Sequence, residues 1–412
     1  MAKKIETVYW GPSREHALLA LQNFIPRAGK AYRKWRNYDL GSQKNIHVSK
    51  LSPWLRYRVI SEEEIIKAVL SAQTFSNSEK FIQEIFWRTY WKGWLESHPS
   101  AWSVYREKVR QFLENLDSHE SLRERWEKAT TGNTNIECFN SWAHELVDTG
   151  YLHNHARMWF ASIWVFELNL PWVAGADFFL RHLLDGDPAS NTLSWRWTAG
   201  LHTKGKKYIA TAANIEKFTN GRFPVSENPL KKVSINYDIA EYQTPALQPL
   251  PRSGKIDQDQ PLGLIITEED LSPNFLGALE GKITGIIAIQ IINHLSPLKT
   301  AKVVSDFSNK LLLDAIARVQ ENLKISKTPV LKCGTVDEIV NWACDCGYKQ
   351  LVSSYIPVGP NQEFVLKLKK QLISQNIELI EILRTWDINA WPDAKNGFFP
   401  FWAKAPRLLQ AL

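Results

Sequence analysis

From Leu262 onward the chain alternates short apolar runs with longer stretches of helical period. The runs fall at 262–267, 285–292, 329–331, 350–355 and 377–382, and helical segments at 304–323, 336–346 and 363–374 intervene. Apolar runs of this length, interleaved with amphipathic helices, are strands covered on both faces. The pattern therefore predicts an α/β layer, doubly wound and Rossmann-like, with a parallel sheet.

The preceding part is helical in its spacing. Asn154, Arg157 and Met158 stand at i, i+3 and i+4 and share one helical face, as do Glu84, Trp87 and Arg88. Pro171 disfavours helix at Leu170, so the helix through Asn154 is predicted to reach that point, about five turns. A second helix is predicted to begin at Asp187, whose carboxylate caps free N–H groups while Pro188 takes the first helical position. Asn191 and Trp195 then stack one turn apart. Taken singly, these residues also suit ordinary amphipathic core helices.

The proline-rich stretch from Pro245 to Gln260 parts the two patterns. The expected division is a helical unit at 1–235, a linker at 236–260 and an α/β unit at 261–412. A chain of 412 residues, 44% hydrophobic, is ample for two or three packed cores. Met1-Ala2-Lys3-Lys4 opens no secretory signal and no run of about 18 apolar residues follows, so a cytoplasmic location with no membrane partner is expected. Cys138, Cys333, Cys344 and Cys346 are too scattered for a disulfide framework. Reduced buried thiols and no metal are expected, although Cys344 and Cys346 with Cys333 have ligand character. Residues 1–250 carry +6 of the net charge of +7. A cationic helical unit suits a polyanion such as DNA, and a merely solvated basic surface accounts for the charge equally well. Lys204, Lys206, Lys207 and Arg222 are the candidates for phosphate contacts.

The stretch from Gly150 to Trp197 places an Asn/Arg pair, two aspartates, another Asn and several tryptophans around one predicted pocket, which suits a flavin and its electron transfers. Block by block, it resembles the photolyase/cryptochrome flavoproteins. Gly150-Tyr151-Leu152-His153-Asn154-His155-Ala156-Arg157-Met158 is similar to their G-W-x-H-N-R-x-R-M. Asp185-Gly186-Asp187-Pro188-Ala189-Ser190-Asn191 is similar to D-G-D-x-A-x-N, and Trp195-Arg196-Trp197 to W-x-W. Upstream, Ser49-Lys50-Leu51-Ser52-Pro53-Trp54-Leu55 resembles T-S-x-L-S-P-Y-L, and Glu84-Ile85-Phe86-Trp87-Arg88-Thr89-Tyr90 resembles E-L-x-W-R-E-F. Members of the family carry an α/β antenna domain first and the all-α FAD-binding domain last. Here the order is reversed, with Glu268-Glu269-Asp270-Leu271 and Phe398-Phe399-Pro400-Phe401-Trp402 similar to antenna-domain segments, so the chain resembles a circular permutant.

The resemblance implies FAD, held by Tyr32, Ser49, Leu51, Ser52, Arg88, Asn154, Arg157, Asp185, Asp187 and Asn191. Ser49, Ser52 and the backbone at Leu51 would meet the pyrophosphate, with Arg88 adding charge. Arg157 and Asp185 would lie against the isoalloxazine, and Asn191 would face its N5. Trp195 and Trp172 match the proximal and middle members of the family's electron-transfer chain, and Trp126 is the candidate for the third. On the substrate side, Trp87 and Trp197 match the aromatics that wedge a flipped lesion. Glu84 matches the group that hydrogen-bonds it, with Asn154 and Met158 as further contacts. These roles imply a lyase that repairs cyclobutane pyrimidine dimers in damaged DNA.

Departures lie near the expected DNA face. Leu201-His202-Thr203-Lys204-Gly205-Lys206-Lys207-Tyr208 replaces T-G-T-D-x-x-P-Y-F-R, His155 replaces an arginine, and Arg196 stands where glutamine is usual. Arg196, Lys204, Lys206 and Lys207 are the expected DNA contacts. A cryptochrome-like blue-light photoreceptor acting through a protein partner is the alternative implied, and a light-independent flavoprotein is a third. An antenna chromophore is open in identity, and Glu268 and Glu269 make an anionic one unwelcome.

Overall fold

Side-chain caps fix where many helices start. Ser13, Ser61, Thr74, Asp187, Thr211 and Thr335 each accept a hydrogen bond from an N–H group in the first turn that follows. The computed structural model describes residues 10–42, 44–202, 206–226, 230, 245–325 and 332–412. Among these, the helical part consists of α1 (Arg14–Phe24), α2 (Lys30–Trp35), α3 (Ser52–Arg56), α4 (Glu62–Leu70), α5 (Phe75–Ser97), α6 (Ser100–Leu116), α7 (Glu120–Thr130), α8 (Glu137–Thr149), α9 (Asn154–Phe166), α10 (Trp172–His182), α11 (Pro188–Thr198) and α12 (Ala212–Phe218). The longest of them, α5, buries Phe81, Phe86, Tyr90, Trp94 and Leu95 on several faces, because α2, α4 and α11 all pack against it.

The α/β layer follows as β1 (Leu262–Thr267), β2 (Ile283–Ile289), α13 (Lys302–Leu323), β3 (Lys332–Cys333), α14 (Val336–Asp345), β4 (Gln350–Ser354), α15 (Pro360–Ser374) and β5 (Glu378–Ile382). Every pairing is parallel and the order is β3-β2-β1-β4-β5. Ile265, Ile287, Leu351 and Ile380 sit low in exposure, as strands covered on both faces require. Ile265, Ile287 and Leu351 pack with Trp342, Val365 and Leu368 of α14 and α15. Leu264, Ile266, Ile286 and Val352 join α13 and the helical part in one core. The strand order turns between β1 and β4, so the crevice of this doubly wound sheet opens at their carboxyl ends.

That crevice faces the helical part and is filled by ion pairs. Arg56 makes two hydrogen bonds to Glu269, at 2.9 and 3.0 Å, and Arg384 makes two to Asp270. Arg58, in the left-handed region at φ 48°, makes two of 2.7 Å to Asp387. The closing helices α16 (Thr385–Ala390), α17 (Phe398–Trp402) and α18 (Ala405–Gln410) follow β5, and α16 and α17 pack back onto α5.

Three local expectations change. The helix from Asn154 stops at Phe166, short of Leu170: the Leu168 N–H turns back to the Ile163 carbonyl and Asn169 takes φ 49°. The proline at 171 therefore opens the next helix instead of closing this one. The 285–292 run is a strand from Ile283 to Ile289, while 329–331 lies outside the described residues. Cys138 is a buried thiol, but Cys344 and Cys346 are exposed, because α14 turns Ile339, Val340, Trp342 and Ala343 inward. Of the linker, 245–260 carries no helix or strand and ties to both parts: Gln248 donates to the Ser97 carbonyl and Gly254 to that of Glu381.

Candidate functional site

Helices α9 and α11 and the turn before α11 build the centre. Arg157 donates to the Leu152 carbonyl at 2.8 Å and to Asp185 Oδ2 at 2.9 Å, so its guanidinium is fixed at two points. Asp185 Oδ1 is buried and has no hydrogen-bond partner among the described residues. An unpaired buried acceptor costs about 1–3 kcal/mol, so a ligand with an N–H or O–H donor would relieve it. Asn191 gives its amide N–H to the Ala176 carbonyl at 2.8 Å, which orients the side chain. Its amide oxygen is thereby turned away from that carbonyl. Asn154 is exposed and Arg157 and Met158 half-buried, so the shared face opens to the outside. A planar heterocycle with imide donors and acceptors fits this donor set, as the FAD ring does.

Asp187 is deeply buried. Its Oδ1 caps the Ser190 N–H at 2.8 Å, while Arg88 and Lys92 lie 3.4 and 3.5 Å from Oδ2. Burial would raise its pKa, but Lys92, Arg88 and Arg56 together hold it well below the ordinary aspartate value. Arg88, expected to add charge for a phosphate, also lies 3.3 Å from Glu62 and donates to the Arg56 carbonyl. Its charge is already matched by two carboxylates. Ser49 and Ser52 are half-buried on a turn where Lys50 takes φ 52°, and Leu51 is buried between them. Tyr32 is buried with its ring edge-on to Phe24 and Phe81.

On α5, Glu84 pairs with Arg36. Burial raises the Glu84 carboxyl above the usual range and Arg36 pulls against it. Trp87, one turn on, is covered on one face by Phe398 at a centroid distance of 3.5 Å and an angle of 6°. Trp197 stacks on Tyr208 at 5.7 Å. His155 bridges the Asn37 carbonyl, at 2.8 Å, and the Tyr208 hydroxyl, at 3.3 Å. The carbonyl can only accept, so Nδ1 carries the proton and Nε2 accepts from Tyr208.

The rings expected to carry electrons are only partly connected. Trp195 is buried against Phe179 at 5.0 Å and Trp164 at 6.1 Å, and its ring tip lies over Gly175 on α10. Trp172 opens α10, one turn before Gly175, and its ring neighbour is Tyr105. Trp126 stands apart on α7, half-buried against Phe112. Among the expected DNA contacts, Lys206 and Lys207 are described at the surface or near it, and Lys204 lies outside the described residues. Arg196 is buried and donates to the Leu201 carbonyl, so its charge turns inward. Arg222 reaches Asp39 and lies over Phe223. Sequence reading missed Phe398 on Trp87, Arg36 on Glu84 and Lys92 beside Asp187. Only the aromatic run at 398–402 carried a signal for any of them.

Residues 81–222 match the family described as the FAD binding domain of DNA photolyase. This segment is similar to the FAD-binding domain of the photolyase/cryptochrome flavoproteins. A deoxyribodipyrimidine photo-lyase of a Synechococcus strain is 30% identical over 217 residues, covering 50% of this chain and 43% of that protein. A cryptochrome DASH of Idiomarina loihiensis is 30% identical over 188 residues, covering 43% of this chain and 39% of the relative. The chain thus spans less than half the length of either relative. Among solved structures, a bacterial class III photolyase from Agrobacterium tumefaciens aligns over 51% of this chain and 43% of its own, with 26% identity and a TM-score of 0.43. No described helix is long and apolar enough to cross a membrane.

Proposed function

We propose that this chain is a light-dependent, FAD-containing photolyase that repairs cyclobutane pyrimidine dimers in DNA. In this reading the α/β layer after the helical part corresponds to an antenna domain placed first in its relatives, so the chain is a circular permutant with divisions near 235 and 261. The observation that carries the reading is the Arg157–Asp185 pair, with its unpartnered buried oxygen, inside a segment that matches a photolyase FAD-binding domain. FAD held beside Arg157, Asp185 and Asn191 would supply the light-driven electron transfer on which splitting of the dimer depends.

The protein's own residues hold and exclude. Arg157 stabilises negative charge on a ring beside it, and Asp185 keeps that buried cation paired. Ser49, Ser52 and Tyr32 serve the phosphate and outer parts of the cofactor. Glu84 hydrogen-bonds the flipped base, and Trp87 and Trp197 wall it in with Asn154 and Met158. Lys206 and Lys207 contact phosphate.

The alternative is a photoreceptor of cryptochrome type that works through a protein partner. Phe398 favours it, because it occupies a face of Trp87 that a lesion would use. A repair assay separates the two: protein with photoreduced FAD, a thymine-dimer oligonucleotide, blue light, and a dark control. Light-dependent loss of the dimer, absent in a Glu84→Ala, Trp197→Ala variant, supports the photolyase. A flavin that photoreduces without lesion binding overturns that reading in favour of the photoreceptor.

A further inference from the structure

Sheets of this order take ligands in the crevice at the carboxyl ends of their strands, which here opens between β1 and β4. A nucleotide-like pigment held there needs a turn of small residues after β1, free N–H groups at a helix start for its phosphate, and a slot for its ring. In this chain β1 runs instead into Glu268, Glu269 and Asp270, all buried, and the next described element is one 3₁₀ turn, Leu276–Leu279. Arg56 and Arg384 are bound to two of these acids and offer no free charge to a phosphate. The start of α15 is closed as well. Asn361 donates to Glu269 Oε1 at 2.9 Å, and a Cβ built on Gly359 would lie 3.0 Å from Pro188 Cγ at the start of α11.

The helical part fills the space that remains. Arg56, besides its two bonds to Glu269, donates to the Gly186 carbonyl at 2.9 Å, so one guanidinium ties the end of β1 to the turn before α11. Lys92 lies 3.7 Å from Glu269 and 3.5 Å from Asp187. Leu271 N–H donates to the Tyr57 carbonyl at 2.9 Å. The seam beyond is sewn too: the indole N–H of Trp102, on α6, donates to Glu363 Oε1 on α15 at 2.8 Å, and Tyr355 and Val358 both donate to Glu96 of α5. Four side-chain oxygens around the crevice, on Glu268, Ser353, Ser354 and Asn361, have no hydrogen-bond partner among the described residues. A water molecule meets a need of that size. None of the four residues is more than 7% exposed, and a hollow wide enough for a planar ring would expose them.

We infer that the ligand crevice of this sheet has become a clasp between the two parts of the chain, centred on Arg56 and Glu269, and that the α/β layer carries no second chromophore. The residues at the strand ends do not fit an antenna pigment: the anion-binding turn is replaced by acids, the cations are engaged, and the ring's place is occupied by side chains from α3 and α5. The inference rests on the proposed FAD-containing reading for the one chromophore that remains. Light then enters through FAD alone, and the α/β layer serves to brace α3, α5 and the turn before α11 that stand beside the flavin site.

The test uses the FAD-loaded full chain. Pigment released by denaturation is separated and quantified, and FMN, a folate and a deazaflavin are each added at trace level to about 10 μM protein and followed by fluorescence anisotropy. FAD is expected as the sole pigment released, and all three added pigments should keep the anisotropy of the free molecule, where a site with a Kd of about 1 μM would immobilise about 90% of each. The action spectrum of flavin photoreduction should superimpose on the absorption of bound FAD. For the clasp, Arg56→Met and Glu269→Met should each lower the urea midpoint, and the double variant should recover part of the loss, because each single change strands a buried charge. A second pigment in stoichiometric amount, immobilisation of any added one, or additive losses in the double variant overturns the inference while sparing the FAD reading. A chain that binds no FAD overturns that reading, and the three added pigments still report on the crevice.

Discussion

Phe398 lies flat on Trp87, with ring centroids 3.5 Å apart and planes 6° from parallel. The two residues are more than 300 positions apart, and the contact joins α17 to the middle of α5. In the proposed repair reading Trp87 is a wall of the lesion pocket, and Phe398 would then sit where substrate competes. Phe398→Ala should cost about 3 kcal/mol of stability by urea unfolding, as a buried ring lost to a cavity does. It should also raise affinity for a dimer-containing oligonucleotide in a fluorescence anisotropy titration. Lower stability with unchanged affinity would mean that Trp87 is packing and not a lesion wall.

The contact between α16 and the turn after α3 rests on buried charge. Arg58 makes two hydrogen bonds of 2.7 Å to Asp387, with Glu62 at 3.5 Å from its Nε. Arg58 also holds a backbone conformation that favours glycine, which its side-chain bonds help to sustain. Removing one partner of a buried pair costs more than the pair contributes, because the other charge stays desolvated. Asp387→Ala should destabilise the chain by about 3–5 kcal/mol, measured as a lower urea midpoint. A loss under about 1 kcal/mol would show that water or Glu62 satisfies Arg58 instead.

What the sequence made legible follows from the range of the forces involved. The limits of β1, and those of β4 and β5 to within a residue, follow from local apolar runs. The start of α11 follows from Asp187 and Pro188, a local cap. The Arg157–Asp185 pair came from motif resemblance and appears as an ion pair. Partners set by long-range packing were not legible: Phe398 on Trp87, Glu363 on Trp102, and Glu62 and Asp187 around Arg88. Arg88 shows why. Its helical face was readable, but whether its charge is free depends on carboxylates from two other segments.

Glu96 supplies a pH test. Its carboxylate accepts from Val358 N–H and the Tyr355 hydroxyl, both at 2.7 Å, and burial pushes its pKa up to about 7. A folded pKa above the unfolded value, about 4.3 for glutamate, means that the folded chain holds this proton more tightly. The resulting stability is fully present below the unfolded pKa and is lost as pH rises through about 7. Glu96→Gln cannot ionise. The stability difference, wild type minus variant, should therefore fall by roughly 3 kcal/mol between about pH 4 and pH 8, using about 1.36 kcal/mol per unit of pKa shift. Urea unfolding of both proteins at the two pH values measures it, and a constant difference would remove Glu96 as the source.

Gly175 tests how tightly Trp195 is held. A Cβ built at this position would lie 2.3 Å from Trp195 Cη2 and 3.0 Å from Trp164 Cε2. Glycine within a helix ordinarily makes alanine the more stable choice by about 1 kcal/mol. Here the ring cannot easily retreat, since Phe179, Trp164 and Phe160 surround Trp195. Overpacking of a closed site costs about 1–3 kcal/mol, enough to reverse the helical gain. Gly175→Ala should therefore lower the urea midpoint, where an unconstrained helical glycine would raise it. If Trp195 is the first donor to bound flavin, the displaced ring should also slow photoreduction under steady blue light. A variant more stable than the wild type, with unchanged photoreduction, would show that Trp195 moves freely and that its position over α10 is not what sets the transfer.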